Sequence, residues 1–380
     1  MLITQVGPLL NAIFPEVLGE SALLTEDLSN LVDLGKAITS LDSYRNKFVQ
    51  ALVDRIGKTI YVDRPYSGDF PSLYMDSWKY GSIMAKFATE LKEADMNLSW
   101  ELTDGTSYDQ DTYYGLTASA KFFNKMVTHE VRQSLPEYQL DHSFSSAAEA
   151  AKFYSMIQTH VQNTLTMQNS ILAHRTVTRL MANIIASGTS LQKVNLLAEY
   201  NTLAGTSLTP DEALKTAEFI RYAVRRIKQV STYITKYSTK FNTGGKQRFT
   251  PTDRQRIFYL ADFATALGVY LYNAPNQYAT DFLQLPKGDT VPYWQGTGTD
   301  FGFDSLSSID LTADGITGKQ SGIVALLADE FAMGICNENA RTTTHYNAAA
   351  EFTNYWYKRD ARYFNDPDEN AVLFYLASAT

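Results

Sequence analysis

The longest regular pattern in the chain is helical and runs from Ser146 to Ser187. Ser146 and Glu149 have the spacing of a capping box, and Gly188 supplies a stop signal. No proline or glycine interrupts the segment, so it predicts a helix of about 60 Å. Its apolar positions fall near one face and comprise Phe153, Ile157, Val161, Leu165, Leu172, Leu180 and Ile184.

Strand patterns dominate the region before this helix. Ile83–Leu91 and Ala118–Val131 are long strand candidates, and residues 103–111 between them have a turn composition rich in Gly, Asp, Ser and Thr. Together they predict a long hairpin with a polar tip. Because an isolated two-stranded hairpin is marginal in water, we expect this one to pack against a partner.

The first 40 residues alternate short apolar runs with Pro, Gly, Ser and Thr. This pattern predicts an extended arm with one helical turn around Leu28–Ile38. A short amphipathic helix is expected over Asp42–Ile56, ending at Gly57. An extended arm buries little against itself, so we expect it to lie on another molecule.

The remaining pattern mixes helices and strands, which makes the fold class α+β. Thr209-Pro210-Asp211-Glu212 is a strong helix start. Residues 241–251 and the Gly-, Ser- and Thr-rich stretch 288–322 predict loops and weak strands. The expected helices are Leu191–Ala204, Pro210–Val230 and Ala264–Tyr272, and the expected strands are Thr59–Val62, Ile257–Ala261, Ile323–Ala328, Phe352–Phe364 and Ala371–Ala377.

Composition narrows the function. The 380 residues are 44% hydrophobic, enough for a large core, and 13% aromatic, which suits a protein that buries surface against neighbours. The net charge of -8 argues against tight binding to nucleic acid. The single cysteine, Cys336, excludes an internal disulfide. The N-terminus has no basic region of a signal peptide, and no apolar run is long enough to span a membrane.

Motifs for chemistry are weak throughout. Gly245-Lys246 and Gly318-Lys319 lack the spacing of a phosphate-binding loop. Cys336 and His345 could form a nucleophile and base only if folding brought them within hydrogen-bond reach. The five histidines, at 129, 142, 160, 174 and 345, lack the close pairing of a zinc site.

Acidic residues give two further candidates. Asp104, Asp109 and Asp111 hold only fragments of a calcium loop, so a solvated turn or a contact with a neighbouring molecule is favoured. Glu351 or Asp360 could belong to a pair of catalytic carboxylates, although pairing with basic residues on a strand is simpler. We therefore predict no catalytic residue, no cofactor and no metal.

The order of these elements resembles the Hong Kong 97-type capsid fold of tailed bacteriophages, and specific stretches resemble major capsid proteins of phages of Gram-positive hosts. The likeness covers most of the chain and is weakest over 190–320. The similar stretches are Tyr80–Met84 leading to Trp100, Ala120–Phe123 through Glu130, Leu135–Leu140 with Phe144-Ser145, Ala328-Asp329, Thr342–Thr344, Asn347, Phe352–Asn354 and Asn370–Phe374.

The resemblance implies a role for each segment. An N-terminal arm with a short helix (1–57) and an extended hairpin loop (58–132) would reach neighbouring subunits. A peripheral domain would contain the spine helix (133–189) and the C-terminal strands (323–380), and an axial domain (190–322) would meet its copies around symmetry axes. The expected inter-subunit contacts are Phe14, Leu24, Trp100, Asp104, Tyr108, Asp111, Glu351, Lys358 and Arg359.

The resemblance also implies partners. Copies would form hexamers and pentamers of an icosahedral head in the host cytoplasm, with a separate scaffold protein and a portal protein, around DNA bound without sequence specificity. Some relatives cross-link subunits through a Lys–Asn isopeptide bond, but Lys86, Lys92, Asn347 and Asn370 do not match that chemistry, so no cross-link is expected. The alternatives are an encapsulin-like compartment shell and a secreted carbohydrate-active protein.

Overall fold

A computed structural model describes the chain over most of its length. The described residues are 3–19, 22, 25, 30–41, 43–48, 51, 69–75, 84–89, 94, 97–108, 111, 113, 115, 118–136, 147–272, 285–295, 302–313 and 315–378. They form two compact units. Unit 1 comprises 1–77, 126–173 and 335–362, and unit 2 comprises 78–125, 174–334 and 363–380.

Helices and strands alternate along the chain, as expected for an α+β protein. The helices are α1 (Ile3–Leu18), α2 (Leu31–Thr39), α3 (Ala147–Ser187), α4 (Leu196–Ala204), α5 (Pro210–Leu214), α6 (Ala217–Tyr233), α7 (Ala261–Tyr272) and α8 (Phe303–Leu306), and residues 43–48 are also helical. The strands are β1 (Met84–Thr89), β2 (Ala118–Phe123), β3 (Met126–Pro136), β4 (Lys193–Asn195), β5 (Gln255–Leu260), β6 (Gly288–Val291), β7 (Ile309–Ala313), β8 (Ile316–Gln320), β9 (Ile323–Asp329), β10 (Met333–Asn347), β11 (Phe352–Asn365) and β12 (Ala371–Tyr375).

Unit 1 is built on a three-stranded sheet in the order β10-β11-β3. β3 pairs antiparallel with β11 from Pro136 opposite Phe352 to Met126 opposite Arg362. β10 was not predicted from the sequence, because its second half is polar and gives no apolar alternation. The sheet buries Val131, Leu135 and two tyrosines of β11 on one face.

The N-terminal segment covers that face, contrary to the prediction of an extended arm. Residues 3–18 form a helix, and Phe14 stacks on Phe48 with ring centroids 6.0 Å apart. The pattern was misleading because Pro8 and Pro15 suggested breaks, whereas both lie within α1. The helical turn expected around Leu28–Ile38 is present as α2. The segment therefore belongs to the core of its own unit, with Leu10, Ile13, Phe14, Leu31, Ile38 and Phe48 all buried.

Unit 2 contains a mixed five-stranded sheet in the order β4-β12-β9-β5-β6. The central strand β9 is buried at every position, as its apolar run predicts. The predicted helix over Leu191–Ala204 starts later, at Leu196, because residues 193–195 pair with β12 as the edge strand β4. The helix predicted over Pro210–Val230 is two helices. The predicted start at Thr209-Pro210 is confirmed, and the structure shows that Thr209 and Glu212 form a capping box there.

The long helix predicted from the sequence is confirmed as α3. Every described member of the predicted apolar face is buried: Ile157, Val161, Leu165, Leu172, Leu180 and Ile184. The helix ends at Ser187, and the next residue, Gly188, has no room for a side chain, since a Cβ there would collide with the carbonyl oxygen of Ile184. The capping residue Ser146 and the predicted strand Thr59–Val62 lie outside the described residues.

Truncating Phe14 tests whether the N-terminal segment is core. We expect Phe14→Ala to lower the free energy of unfolding of unit 1 by about 3–5 kcal/mol, because the side chain is fully buried. Urea unfolding followed by tyrosine and tryptophan fluorescence measures this. Leu41→Ala is the control, since Leu41 is 52% exposed. Equal, small effects of both substitutions would contradict the assignment.

Candidate assembly site on the β1–β2 hairpin

The predicted hairpin is confirmed. β1 and β2 pair antiparallel from Met84 opposite Phe123 to Thr89 opposite Ala118. The second strand was predicted to continue to Val131, and that was wrong. It breaks at residues 124–125, after which β3 leaves β1 and pairs with β11. β1–β2 is therefore a separate two-stranded ribbon within unit 2.

The two faces of the hairpin differ in exposure. Side chains alternate across a strand, so odd and even positions point to opposite faces. The inward face carries Lys86, Ala88, Ser119, Lys121 and Phe123, all half-buried. Phe123 packs on Phe364 with ring centroids 5.3 Å apart, which anchors this face to the end of β11.

Two lysines on the inward face occupy directly opposed positions. Lys86 and Lys121 are cross-strand partners, an arrangement that repels unless anions intervene. Asp366 supplies one carboxylate oxygen to each, at 2.8 Å from Lys86 Nζ and 2.9 Å from Lys121 Nζ. The next acidic residues complete the pairing, with Glu369 at 2.7 Å from Lys86 and Asp368 at 2.6 Å from Lys121.

This root cluster, consisting of Lys86, Lys121, Arg248, Asp366, Asp368 and Glu369, is balanced in charge. Arg248 Nε adds a third cation, 3.4 Å from Glu369. Lys86 also donates to the carbonyl oxygen of Phe331 at 3.1 Å. Three cations face three carboxylates, so burial leaves no uncompensated charge within the cluster.

The ionisation of the cluster follows from this geometry. Burial acts to raise the pKa of Asp366, but attraction to Lys86 and hydrogen bonds from both lysines outweigh it, so the pKa lies below the ordinary value. Burial acts to lower the pKa of Lys121, and its hydrogen bonds to Asp366 and Asp368 raise it overall. Both shifts favour the charged pair.

The acidic turn between β11 and β12 is held by the chain around residue 243. The amides of Thr243 and Gly244 donate to the carbonyl oxygen of Pro367 at 3.0 and 3.2 Å. A Cβ at Gly244 would collide with the Asp368 carboxylate and displace it, so glycine at this position leaves room for the acidic turn. In the sequence, residues 365–370 have only the composition of an ordinary turn, which does not predict an ion-pair cluster. Only the matching positions of Lys86 and Lys121 on two paired strands could have indicated the cluster.

The outward face of the hairpin is uncharged and exposed. It carries the side chains of Ala85, Phe87, Thr89, Ala118, Ala120 and Phe122. Phe87 is 74% exposed and Phe122 is 64% exposed, and their rings meet edge to face at 6.5 Å. A continuous apolar face of this kind marks an interaction surface more often than solvent contact.

Further aromatic side chains lie on the chain between the two strands. Trp100 and Tyr113 are more than nine-tenths exposed. Asp104 and Asp111 are exposed as well, and the hydroxyl of Tyr108 accepts a hydrogen bond from the Thr103 amide at 3.0 Å. Four predicted contact residues, Trp100, Asp104, Tyr108 and Asp111, therefore lie on the surface of unit 2.

The other predicted contact residues belong to unit 1, apart from Leu24, which lies outside the described residues. Phe14 and Arg359 are buried within unit 1, and their contact with neighbouring copies stays a prediction. Phe14 lies on α1, which covers one face of the sheet, and Arg359 lies on β11, the middle strand of that sheet. Glu351 is exposed in the β10–β11 turn with φ 49°, and half-buried Lys358 lies 3.4 Å from Glu130.

The chemical alternatives left open by the sequence find no supporting geometry. Asp360 accepts a hydrogen bond from Thr128 at 2.7 Å and forms an ion pair with Arg341. This agrees with pairing to a basic residue on a strand, the simpler of the two alternatives for Asp360. Cys336 and His345 lie on the same strand, β10, roughly 30 Å of strand apart. Within the described part of the chain, no cluster of three or more acidic, histidine or cysteine side chains is arranged to hold a metal.

Comparison with known families decides the identity. The family model of the Phi29-like phage major capsid protein matches residues 10–375. The chain belongs to this family. It is a major capsid protein, whose copies build the icosahedral head of a bacteriophage. Neither the compartment-shell nor the carbohydrate-active alternative gains support. No curated protein matches the chain.

Solved capsid-related structures share the Hong Kong 97-like fold at low sequence identity. One chain in the structure of head fiber and inner core protein gp22 of native bacteriophage P68 has a TM-score of 0.50 at 11% identity, covering 80% of this chain and 84% of that one. The capsid structure of Staphylococcus phage Andhra has a TM-score of 0.48 at 10% identity, covering 81% and 84%. None of the described helices of the capsid protein has the length and apolar character to cross a membrane.

Breaking the root cluster is expected to destabilise the hairpin. Asp366→Asn leaves two facing lysines without their shared anion, and we expect a loss of about 3–5 kcal/mol in unfolding free energy. Urea unfolding measures it. Asp310→Asn is the matched control, because its pair with Lys319 is mostly exposed and should contribute under about 1 kcal/mol. A loss no larger than that of the control would show that the cluster does not stabilise the hairpin.

The same cluster predicts an acid transition. Because the folded pKa of Asp366 is depressed, its stabilisation is fully present above the ordinary value, about 3.9, and is lost as pH falls through the folded pKa. We expect amide protection in β1 and β2 to persist at pH 5 and to fall only in the acid range below about pH 4. Hydrogen exchange measures this, and Asp366→Asn should remove the step. Loss of protection near pH 6 would contradict the assignment.

Proposed function

We propose that the outward face of the β1–β2 hairpin docks on an adjacent copy of the chain during head assembly. The observation that carries the proposal is an apolar, exposed face on a ribbon whose other face is anchored by charge. Anchoring fixes the direction in which Phe87 and Phe122 point. A surface held ready in this way binds with less loss of conformational entropy than a flexible one.

A second copy is the partner that the geometry favours. Head assembly places the same surface next to the same neighbour many times, so one modest contact is repeated over the shell. Phe and Trp side chains supply large contact areas at low entropic cost, which suits such a contact. The tip residues Trp100, Asp104, Tyr108 and Asp111 extend the proposed surface, with Glu351 and Lys358 as separate contacts of unit 1.

The finer organisation of the head belongs to the same proposal. Copies associate as hexamers and pentamers, with the hairpin loop (58–132) reaching a neighbour, the peripheral segments (133–189 and 323–380) forming the outer parts of each capsomer, and the axial segment (190–322) meeting its copies at the symmetry axes. The segment 1–57, assigned to an arm, acts mainly within its own unit as far as it is described. Membership of the capsid family supports these roles.

Three further features follow from the capsid role as part of the proposal. A separate scaffold protein directs assembly, a portal protein occupies one vertex, and assembly takes place in the host cytoplasm. The subunits form no covalent link with one another. The ammonium of Lys86 supports the last point. It is engaged within its own subunit by the carboxylates of Asp366 and Glu369, at 2.8 and 2.7 Å.

Polar substitution of the outward face tests the docking proposal. Phe87→Ser with Phe122→Ser should leave the free energy of unfolding nearly unchanged, because both rings are exposed, and should abolish correct shells. Electron microscopy of particles from cells expressing the head genes counts the shells, and urea unfolding checks the subunit.

The matched control changes two exposed leucines of the same unit, Leu191→Ser with Leu203→Ser. We expect it to match the hairpin variant in unfolding free energy and to retain shells. Normal shells from the Phe87 and Phe122 variant would refute the docking surface. A large loss of stability in that variant would show that the outward face already packs within its own subunit.

A further inference from the structure

A long segment of unit 2 is basic in a chain that is acidic overall. Between Phe219 and Thr252 there are eight Lys and Arg residues and no Asp or Glu, a local charge of +8 against a total of -8. The rest of the chain therefore carries -16. The basic residues are Arg221, Arg225, Arg226, Lys228, Lys236, Lys240, Lys246 and Arg248. The net charge of the whole chain does not reveal this difference between the segment and the remainder.

Helix α6 places part of this charge on one surface. It buries Phe219, Ala223, Ile227 and Val230 against the rest of the unit. Arg221 and Arg225 are one turn apart on the opposite side, and both are exposed. Exposed Lys236 and Lys240 follow where the helix ends, so the charge continues past α6. Glu218, one turn before Arg221, marks the limit of the basic surface.

Some of the eight cations are neutralised inside unit 2. Arg226 forms a double hydrogen bond with Glu199 at 2.8 and 3.0 Å, and Arg248 contacts Glu369 in the root cluster. Arg221, Arg225, Lys236 and Lys240 have no carboxylate partner among the described residues. These four exposed side chains are named the basic surface.

We infer that this basic surface binds the phosphate backbone of duplex DNA within the head. The inference rests on the capsid function, which brings the chain next to packaged DNA. A duplex carries one negative charge per about 1.7 Å of axis, so DNA lying on the surface in any register brings several phosphates within reach. Thr232, Tyr233 and Tyr237 lie between the cations in sequence and add hydroxyl groups, which also bind phosphate oxygens.

The shape of the surface favours DNA over an acidic protein. The exposed side of a helix is convex, and its cations stand on long flexible stems. Such a surface recognises dense, uniform charge, whereas a protein segment is held mainly by buried anchors in a pocket. Contacts to phosphate carry no sequence information, so any DNA serves. The acidic remainder of the chain keeps each contact weak, and many copies in a shell multiply it.

The experiment measures binding of the full-length, unassembled chain to a fluorescein-labelled 30-base-pair duplex by anisotropy across salt concentrations. The test variant is Arg221→Gln, Arg225→Gln, Lys236→Gln and Lys240→Gln. The matched control removes four exposed cations elsewhere, by Lys36→Gln, Lys47→Gln, Lys287→Gln and Lys319→Gln. Both variants change the net charge of the chain equally, so any difference between them reports location.

We expect the test variant to bind at least about tenfold more weakly at 50 mM salt than the control does. Its slope of log affinity against log salt should fall by about 3–4 relative to the unmodified chain. Equal losses in the two variants, or no DNA binding by the unmodified chain, would overturn the inference. So would a larger loss of binding to polyglutamate than to DNA, which would assign the surface to an acidic protein.

Shell formation separates this inference from the capsid role. Electron microscopy of both quadruple variants should show shells, because the basic surface acts on DNA and not on neighbouring copies. Absence of shells from the unmodified chain would count against the proposed function while leaving the DNA measurement interpretable. Loss of shells only in the test variant would make the surface a subunit interface and would overturn the inference.

Discussion

Two like charges placed opposite each other in a two-stranded ribbon set the main constraint on this structure. Lys86 and Lys121 face each other across β1 and β2, and the ribbon cannot lie against unit 2 unless anions separate them. The turn after β11 supplies those anions, with Asp366 shared between the lysines. One face of the hairpin is therefore committed to its own chain, and the apolar face is directed away from it.

This arrangement explains why the exposed aromatic residues do not collapse onto the subunit. Phe87 and Phe122 would gain free energy by burial, but turning the ribbon over would expose its anchor Phe123 and leave the buried carboxylates of Asp366 and Glu369 without their lysine partners. The cost of an uncompensated buried charge exceeds the gain from one phenylalanine. The ion pairs thus specify which face of the hairpin lies against its own subunit. The opposite, apolar face is left exposed and is the surface proposed to contact neighbouring copies.

Local sequence patterns predicted the helices and strands better than they predicted which of these elements pack together. The uninterrupted run from 147 to 187 predicted α3, and alternation with a polar tip predicted the β1–β2 hairpin, since both signals are carried by nearby residues. The N-terminal helix was missed because prolines at 8 and 15 outweighed its apolar spacing. The polar strand β10 gave no periodic signal. The root cluster joins Lys86 to residues 280 positions later, a distance that no local pattern spans.

The interleaving of segments in the two units has a consequence during synthesis. Ser134 on β3 meets Asn354 on β11, 220 residues further along the chain. At about 5–20 residues per second, a ribosome needs roughly ten to forty seconds to cover that interval. During this time α1 has already been synthesised, but its apolar side has no complete sheet to pack on, because β11 has not yet been made. Newly made chains therefore depend on keeping early segments from aggregating until translation is nearly finished.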